Sequence, residues 1–208
     1  MDCEAECLAV RLSGLREERL YGRRAFSGRL GGADGEEVFA VVSGVGKVNA
    51  AAAAQAALAH TGVKTIYNIG VAGGLEPDMR PGDMFEVSRA VQYDFDLSQL
   101  TGKGPGVLDG RDSPFFECRV SGFRPAKILG SGDRFNDDPG DNRLLRSLGA
   151  GLRDMEGAAI AQVCETAGAE FASLKCVSDV YGSGVTTEQF KENLARCLKL
   201  LAAAPWPL

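Results

Sequence analysis

Apolar and polar positions alternate along the chain with two different periods. Short runs rich in β-branched and aromatic residues, each ended by glycine or a polar turn, predict strands at Val38–Ser43, Thr65–Ile69, Met84–Val91, Lys127–Gly130 and Glu170–Cys176. Alanine-rich or amphipathic stretches between and after them predict helices at Ala50–Ala59, Gly157–Ala167 and Thr187–Ala204. Because strand and helix alternate, we expect an α/β fold with a mostly parallel (mixed) sheet flanked by helices.

Three segments carry no clear strand or helix period of that kind. Arg16–Arg29 mixes basic and acidic residues and is interpreted as a solvated helix face and turn. Tyr93–Pro114 is predicted to be a long loop, of the length that is often functional. Asn136–Asn142 is polar and is predicted to be a mobile loop. We see no linker or internal repeat, so residues 1–208 are expected to form one domain.

Composition narrows the classes of partner. The 208 residues contain 45% hydrophobic and 25% charged side chains, and the formal net charge of -5 argues against a protein that binds nucleic-acid backbones. No apolar run is long enough to cross a membrane, and the first 30 residues are too charged for a signal peptide. We therefore expect a cytoplasmic protein that binds neither nucleic acid nor membrane.

The metal-binding residue types are sparse. The six cysteines, Cys3, Cys7, Cys118, Cys164, Cys176 and Cys197, form no paired zinc-ligand pattern and are expected to be reduced thiols. The single histidine, His60, lies among small apolar residues and is interpreted as structural. Gly44-x-Gly46 follows a strand but lacks the third glycine and the ribose-binding acid of a dinucleotide site. Neither a metal nor a cofactor is expected.

Two acidic motifs near the C-terminus indicate the chemistry. In Asp154-Met155-Glu156-Gly157, an acid at the mouth of a helix can bind two neighbouring hydroxyls, beside an apolar thioether. In Ser178-Asp179, an acid at the tip of a buried strand is a proton donor whose pKa burial can raise. Open α/β sheets bind ligands at such strand ends. Sugar hydroxyls and a proton donor together predict chemistry on a nucleoside.

Seven motifs in order resemble the nucleoside phosphorylase superfamily, and within it the methylthioadenosine/S-adenosylhomocysteine nucleosidases. They are SGVGKVNA (43–50), NIGVAGG (68–74), PGD (81–83), YDFD (93–96), SGDRF (131–135), DMEG (154–157) and SDV (178–180). The resemblance covers roughly residues 38 to 200 and implies a nucleoside phosphorylase-like, single-domain three-layer α/β/α fold. Its first strand is missing from this sequence.

The resemblance also implies roles for individual residues. Asp179 corresponds to the general acid that protonates the purine at N7, Glu156 to the acid that holds the ribose hydroxyls, and Met155 to the side chain packed on the sugar. Phe135 corresponds to the aromatic residue that stacks on the base. The remaining candidates for substrate contact are Val45, Val71, Ala72, Gly73, the Asn136 backbone and Ser178, with Asp154 and Lys175 as charge-conserving replacements behind them.

The resemblance leaves the attacking nucleophile to be decided between water and phosphate. Phosphorylases of the superfamily use an arginine and a serine to hold phosphate where this chain has Asn68 and Val71. Without them, phosphate would lose the paired hydrogen bonds from the arginine guanidinium and one hydrogen bond from the serine hydroxyl. Water is therefore predicted to attack. Val71 also departs from the nucleosidases, which usually have serine there. A futalosine hydrolase, a phosphate-dependent purine nucleoside phosphorylase and a degenerate nucleoside-binding protein remain alternatives.

Glu4 falls where the hydrolytic members place the carboxylate that activates water, at the end of their first strand. That strand is missing here, which indicates either a start codon further upstream or a lost core strand, and the former is favoured. Without the strand, Glu4 is expected to be poorly anchored.

Family members are dimers or larger assemblies in which one subunit lends apolar side chains to its neighbour's pocket. Leu97 and Leu100 occupy the matching positions, so the resemblance implies a homodimer.

Overall fold

The structure is a computed structural model and describes residues 1–205. Its helices are α1 (Asp2–Ala9), α2 (Lys47–Thr61), α3 (Ser98–Thr101), α4 (Pro139–Ser147), α5 (Gly157–Ala167) and α6 (Thr186–Ala203). Its strands are β1 (Leu12–Leu20), β2 (Arg23–Leu30), β3 (Glu36–Val41), β4 (Thr65–Gly74), β5 (Met84–Gln92), β6 (Phe115–Glu117), β7 (Ala126–Ser131), β8 (Ala150–Asp154) and β9 (Glu170–Val180). The prediction of an α/β fold is confirmed.

Six strands form the central sheet in the order β6-β5-β7-β8-β4-β9. The pairs β5–β7, β7–β8 and β4–β9 are parallel, whereas β4–β8 and β5–β6 are antiparallel, so the predicted mixed sheet is confirmed. β5 also pairs antiparallel with β9, which curls the sheet so that five strands close into a ring. The ends of β8 and β9, which carry the acidic motifs, meet the glycine-rich end of β4 at one side of this ring.

The segment Arg16–Arg29 is not a helix, and that interpretation was wrong. It forms most of the hairpin β1–β2, in which Leu20 faces Arg23 across the two-residue turn Tyr21-Gly22. Both turn residues have positive φ angles (47° and 81°), the conformation that matches the twist of a tight hairpin. The charges that suggested a helix face lie instead along β1, which is exposed over most of its length.

The polar segment Asn136–Asn142 is also more ordered than predicted. Asp138 caps helix α4 by accepting a hydrogen bond from the backbone N–H of Asp141 (2.9 Å), and Pro139 occupies the first helical position. Asp141 and Asn142 are buried. The predicted long loop, Tyr93–Pro114, contains one short helix, α3.

The core beside the sheet depends on small side chains. Ala50 and Ala54 of α2 pack in one buried cluster with Ala158 and Ala159 of α5, together with Phe171 of β9. Alanine lets these two helices approach closely while each still covers the sheet. This packing holds the first turns of α2 and α5, which carry the glycine and acidic motifs, next to each other.

The smaller sheet, β1-β2-β3, does not join the central one. β3 pairs with β2 alone, and residues 65–72 of β4 pair with β9 alone, within the part of the chain that the structure describes. The facing edges of β3 and β4 both line a cavity of about 780 Å³. The chain enters α1 directly at Asp2, so the family's first strand is absent between Met1 and Pro205. None of the helices in residues 1–205 is long and apolar enough to cross a membrane.

Candidate active site

The cavity continues from the gap between the sheets to the ends of β4, β8 and β9. Along β4 and β9 the register shifts at this point: Ala72 faces Val177, but Gly73 faces Asp179. Ser178 is the extra residue of this β-bulge, a feature that commonly re-aims side chains beside functional sites. As a result Ser178 and Asp179 both line the cavity, although they are adjacent on one strand.

Asp179 is a buried acid with one free oxygen. Its residue is 2% exposed, and its Oδ1 accepts a hydrogen bond from Ser178 Oγ (2.9 Å). Its Oδ2 is one of two buried side-chain polar atoms in residues 1–205 that have no hydrogen-bond partner. Burial raises the pKa of Asp179, while the Ser178 hydrogen bond and the positive charge of Arg153 oppose that rise. The arrangement provides a carboxyl group that can hold and deliver a proton.

Arg153, at the end of β8, lies beside that free oxygen and was missed by the sequence analysis. Its Nη2 lies 3.6 Å from Asp179 Oδ2 and donates to Thr186 Oγ1 (3.1 Å), while its Nη1 donates to the Asn136 carbonyl (2.6 Å). The side chain is 11% exposed and lines the cavity. One feature of the sequence could have indicated it: Arg153 directly precedes the acidic motif Asp154–Gly157, at the end of a strand that leads into the site.

Asp154 and Lys175 form a buried ion pair behind the cavity wall. Lys175 Nζ lies 2.9 Å from Asp154 Oδ2, and both side chains are at most 3% exposed. Asp154 also accepts from the backbone N–H groups of Glu156 and Gly157, and thereby caps α5. Burial alone would lower the pKa of Lys175, but the nearby Asp154 and Glu156 charges outweigh burial and raise it. Lys175 is therefore the ion-pair partner of Asp154, and the pair holds the acidic motif in place.

Glu156 faces the cavity from the first turn of α5. Its Oε1 accepts a hydrogen bond from the backbone N–H of Gly46 (2.9 Å), at the start of α2. Burial and the neighbouring Asp154 raise the pKa of Glu156, and Lys175 opposes them. Met155 lines the cavity next to it. A carboxylate fixed at two helix starts is suited to accept hydrogen bonds from hydroxyl groups.

Glu4 is better anchored than the missing strand led us to expect. It belongs to helix α1, and its Oε1 accepts a hydrogen bond from the backbone N–H of Val71 (2.9 Å). Its other oxygen pairs with the terminal ammonium group of Met1. Gly70 permits this approach, because a β-carbon there would lie 2.5 Å from Glu4 Oε1. Glu4 thus lines the same cavity as Glu156 and Asp179.

Two aromatic rings lie at the outer end of the cavity. Phe135 is 51% exposed and packs edge-to-face against Phe190 of α6, with 5.5 Å between ring centroids. Both line the cavity, and Phe190 was not predicted. Asn136 does not line it: its carbonyl accepts from Arg153 and its side-chain amide donates to Asp141. That the Asn136 backbone reaches the base edge stays a prediction, which its N–H group would have to fulfil because its carbonyl is bound to Arg153.

The remaining candidates are divided between the cavity and the surface. Val45, Val71, Ala72 and Gly73 all line the cavity, and a β-carbon at Gly73 would lie 2.8 Å from Asp179 Oδ2. Leu97 and Leu100 do not line it, and Leu100 is 82% exposed. No group of three or more potential metal ligands occurs among residues 1–205.

Comparison with known proteins finds relatives that match nearly the whole chain. A 5′-methylthioadenosine/S-adenosylhomocysteine nucleosidase of Geobacillus kaustophilus is 34% identical, over 94% of this chain and 89% of its own length. The corresponding enzyme of Marinomonas is 29% identical over 93% and 88%.

Solved structures show the same fold at lower identity. S-adenosylhomocysteine nucleosidase of Streptococcus pyogenes, in complex with a methylthio nucleoside analogue, superposes with a TM-score of 0.85 at 24% identity, over 97% of this chain and 89% of that one. Futalosine hydrolase of Helicobacter pylori gives a TM-score of 0.86 at 23% identity, over 97% and 91%. Residues 4–204 match the family model of the phosphorylase superfamily, and the chain therefore belongs to that superfamily.

Proposed function

We propose that this protein hydrolyses the N-glycosidic bond of a purine nucleoside that carries a substituent at the 5′ position. The observation that carries the proposal is the convergence of three acids on one cavity: Asp179 with its unpartnered oxygen, Glu156 at the start of α5, and Glu4 on α1. Three separately placed acids correspond to the three tasks of the reaction.

Asp179 delivers the proton that makes the base a leaving group. Its burial favours the protonated form, and its free Oδ2 is available to the ligand. Protonation of purine N7 withdraws electrons from the glycosidic bond, which stretches until the sugar has oxocarbenium character. General acid catalysis of this kind contributes about 10²–10⁴-fold to the rate.

Glu156 and Met155 hold the sugar, and Glu4 activates the attacking water. A carboxylate that accepts two hydroxyl hydrogen bonds fixes the ribose in the orientation required for attack. Phe135 and Phe190 supply the apolar surface for the base. Ser178 orients Asp179 through its hydrogen bond, and Lys175 with Asp154 orients Glu156.

Water is preferred to phosphate as the nucleophile. Asn68 and Val71 line the cavity where phosphate would require a cation and a hydroxyl group, and Lys175 is already paired with Asp154. The nearby carboxylates of Glu4 and Glu156 would repel a dianion in the same space. A carboxylate is suited instead to take a proton from water.

The relatives suggest 5′-methylthioadenosine or S-adenosylhomocysteine as the substrate, since two curated nucleosidases named for them match nearly the whole chain. A futalosine hydrolase activity is the second candidate. Two observations favour it: a solved futalosine hydrolase has the same fold, and the Met155-to-Ala159 motif resembles that of futalosine hydrolases.

Replacement of Asp179 by asparagine tests the proposal. Because the amide cannot deliver the proton, D179N is expected to lower kcat for adenine release from 5′-methylthioadenosine by about 10²–10⁴-fold. Binding of the substrate, measured by calorimetry, should change little. D109N removes an exposed carboxylate and serves as the matched control. Unchanged turnover in D179N would reject Asp179 as the general acid.

A further inference from the structure

Arg153 and Asp179 lie side by side in the wall of the cavity, where Arg153 supplies hydrogen-bond donors and Asp179 an acceptor oxygen. Asp179 Oδ2 has no hydrogen-bond partner, and Arg153 Nη2 lies 3.6 Å from it. Gly73 lets both side chains pack against its backbone, because a β-carbon there would lie 2.8 Å from Asp179 Oδ2 and 2.9 Å from Arg153 Nε. Any group that approaches the free carboxyl oxygen therefore also meets the guanidinium.

The guanidinium is held in place with a donor to spare. It donates to the Asn136 carbonyl (2.6 Å), to Asn142 Oδ1 (3.5 Å) and to Thr186 Oγ1 (3.1 Å), the first residue of α6. Its Nη2 also lies 3.8 Å from Asp137 Oδ1. Thr186 Oγ1 is itself hydrogen bonded to the Asp137 carboxylate. An arginine side chain has five N–H donors and no acceptor. These contacts engage Nη1 and Nη2 and fix the orientation of the side chain, and the Nε–H group remains for a ligand.

A purine presents N7 and its 6-substituent along one edge. N7 is an acceptor in every purine, whereas the 6-substituent is a donor in 6-aminopurines and an acceptor in 6-oxopurines. A protonated carboxyl group donates through one oxygen and accepts through the other. Asp179 alone therefore matches a 6-aminopurine and opposes a 6-oxopurine, because two acceptors would face each other.

We propose that Arg153 determines base specificity and lets this site accept 6-oxopurine nucleosides. The inference rests on the proposed function of the cavity. With Asp179 protonated and donating to N7, Arg153 donates to O6 of the base, which is the commonest side-chain contact to that atom in purine recognition. A 6-amino group instead accepts nothing from Arg153 and turns to the carboxyl oxygen.

The test compares two substrates that differ only at the 6 position, 5′-methylthioinosine and 5′-methylthioadenosine. The wild-type protein is expected to release hypoxanthine and adenine with kcat/KM values within about tenfold of each other. Arg153→Met should lower kcat/KM for the inosine compound by about 10- to 100-fold, the loss expected for one charge-assisted hydrogen bond. Both substrates are compared at a pH below the basic limb of both proteins, where Asp179 is protonated in each, and there the adenosine compound should change by less than about threefold.

Arg153 also connects Asn136 to the start of α6, so its loss can lower both activities by disturbing the structure. The decisive readout is therefore the ratio of the two kcat/KM values. It is measured on one preparation of each variant, so partial unfolding cancels. Arg143→Met, on the exposed face of α4, is the matched control and should leave the ratio unchanged. An equal loss on both substrates in R153M would make Arg153 a structural brace only and overturn the proposal. So would a wild-type protein that acts on the adenosine compound alone.

Binding of the free bases separates this inference from the proposed reaction. If neither nucleoside is cleaved, the proposed function fails, but hypoxanthine and adenine affinities still test Arg153 directly. Tighter hypoxanthine binding to the wild type than to R153M, with adenine binding unchanged, would support the specificity role. Equal hypoxanthine affinities for both proteins would reject it.

Discussion

Two opposing effects act on the pKa of the Asp179 carboxyl group. Burial raises its pKa, whereas the Ser178 hydroxyl and the Arg153 guanidinium stabilise the charged form and lower it. A general acid must be protonated when the substrate arrives. The balance between these effects therefore sets the pH range in which the protein is active.

The pH profile of kcat/KM follows from this balance. Because the protonated form is the active one, activity should fall as the pH rises through the pKa of Asp179. R153M removes a positive charge that lowers this pKa, so the basic limb should move to higher pH. The measurement is kcat/KM for 5′-methylthioadenosine from about pH 5 to pH 9, with R143M as control. If the basic limb of kcat/KM lies at the same pH in R153M as in the wild type, Arg153 does not lower the pKa of Asp179 and the prediction fails.

At the scale of single residues, the sequence predicted the acids and missed their neighbours. Asp179, Glu156 and Glu4 belong to motifs whose spacing is recognisable in one dimension. Arg153 and Phe190 reach the cavity from β8 and α6, and only the packing of those elements brings them to Asp179 and Phe135. The Asn136 backbone was assigned to the base edge, but Arg153 occupies its carbonyl.

Among the elements, α1 and β4 depend on each other through a close contact. Glu4 reaches the Val71 N–H because Gly70 has no side chain. α1 and β4 lie beside the gap between the two sheets, where no strand intervenes among residues 1–205. The position of the candidate water-activating acid is thus set by one glycine and one backbone hydrogen bond.

Gly70→Ala should separate activity from stability. The added methyl group would lie 2.5 Å from Glu4 Oε1, and the flexible end of Glu4 can move away at little cost in folding free energy. Displacement of the acid should lower kcat by at least about tenfold, since general base catalysis contributes about 10²–10⁴-fold. Thermal unfolding and base release are measured together. Gly104→Ala, which meets no atom within 4 Å, is the control.

Full activity in G70A would show that the Glu4 position seen here is not required. A large drop in thermal stability without any change in the rate per folded molecule would also contradict the prediction, because it would make Gly70 a packing residue.

Element boundaries were predictable where local signals were strong. Helix α5 spans Gly157–Ala167 as predicted, since glycine residues flank an apolar stretch of helical period. The hairpin β1–β2 was not predicted, because β1 is rich in charged residues and is exposed over most of its length. Its decisive signal was the Tyr21-Gly22 turn. Helix α4 was missed although Asp138-Pro139 is a helix-start signal.

For the whole molecule, the homodimer that the resemblance implies stays a prediction about the surface near the YDFD motif. Leu100 is 82% exposed on the short helix α3 and does not line the cavity of its own chain. Exposure alone does not mark an interface, since Phe123 is 78% exposed as well. The assignment rests on the positions that the resemblance gives to Leu97 and Leu100. We therefore retain the prediction that the protein is a homodimer in which Leu97 and Leu100 face the partner.

Leu100→Asp tests that prediction. A charge buried at the interface should weaken association by at least about tenfold, and light scattering at micromolar concentration should show a monomer where the wild type is a dimer. Phe123→Asp makes the same change at another exposed apolar residue and should leave the mass unchanged. A monomeric wild type, or an L100D variant that remains dimeric, would contradict this surface assignment.

The measurement that tests the central claim most directly is base release from 5′-methylthioadenosine with and without phosphate, followed by chromatography. The arrangement of Glu4, Glu156 and Asp179 around a cavity without a free phosphate-binding fork predicts adenine and free methylthioribose at equal rates in both buffers. Release only in the presence of phosphate, with a sugar phosphate as product, would contradict the account.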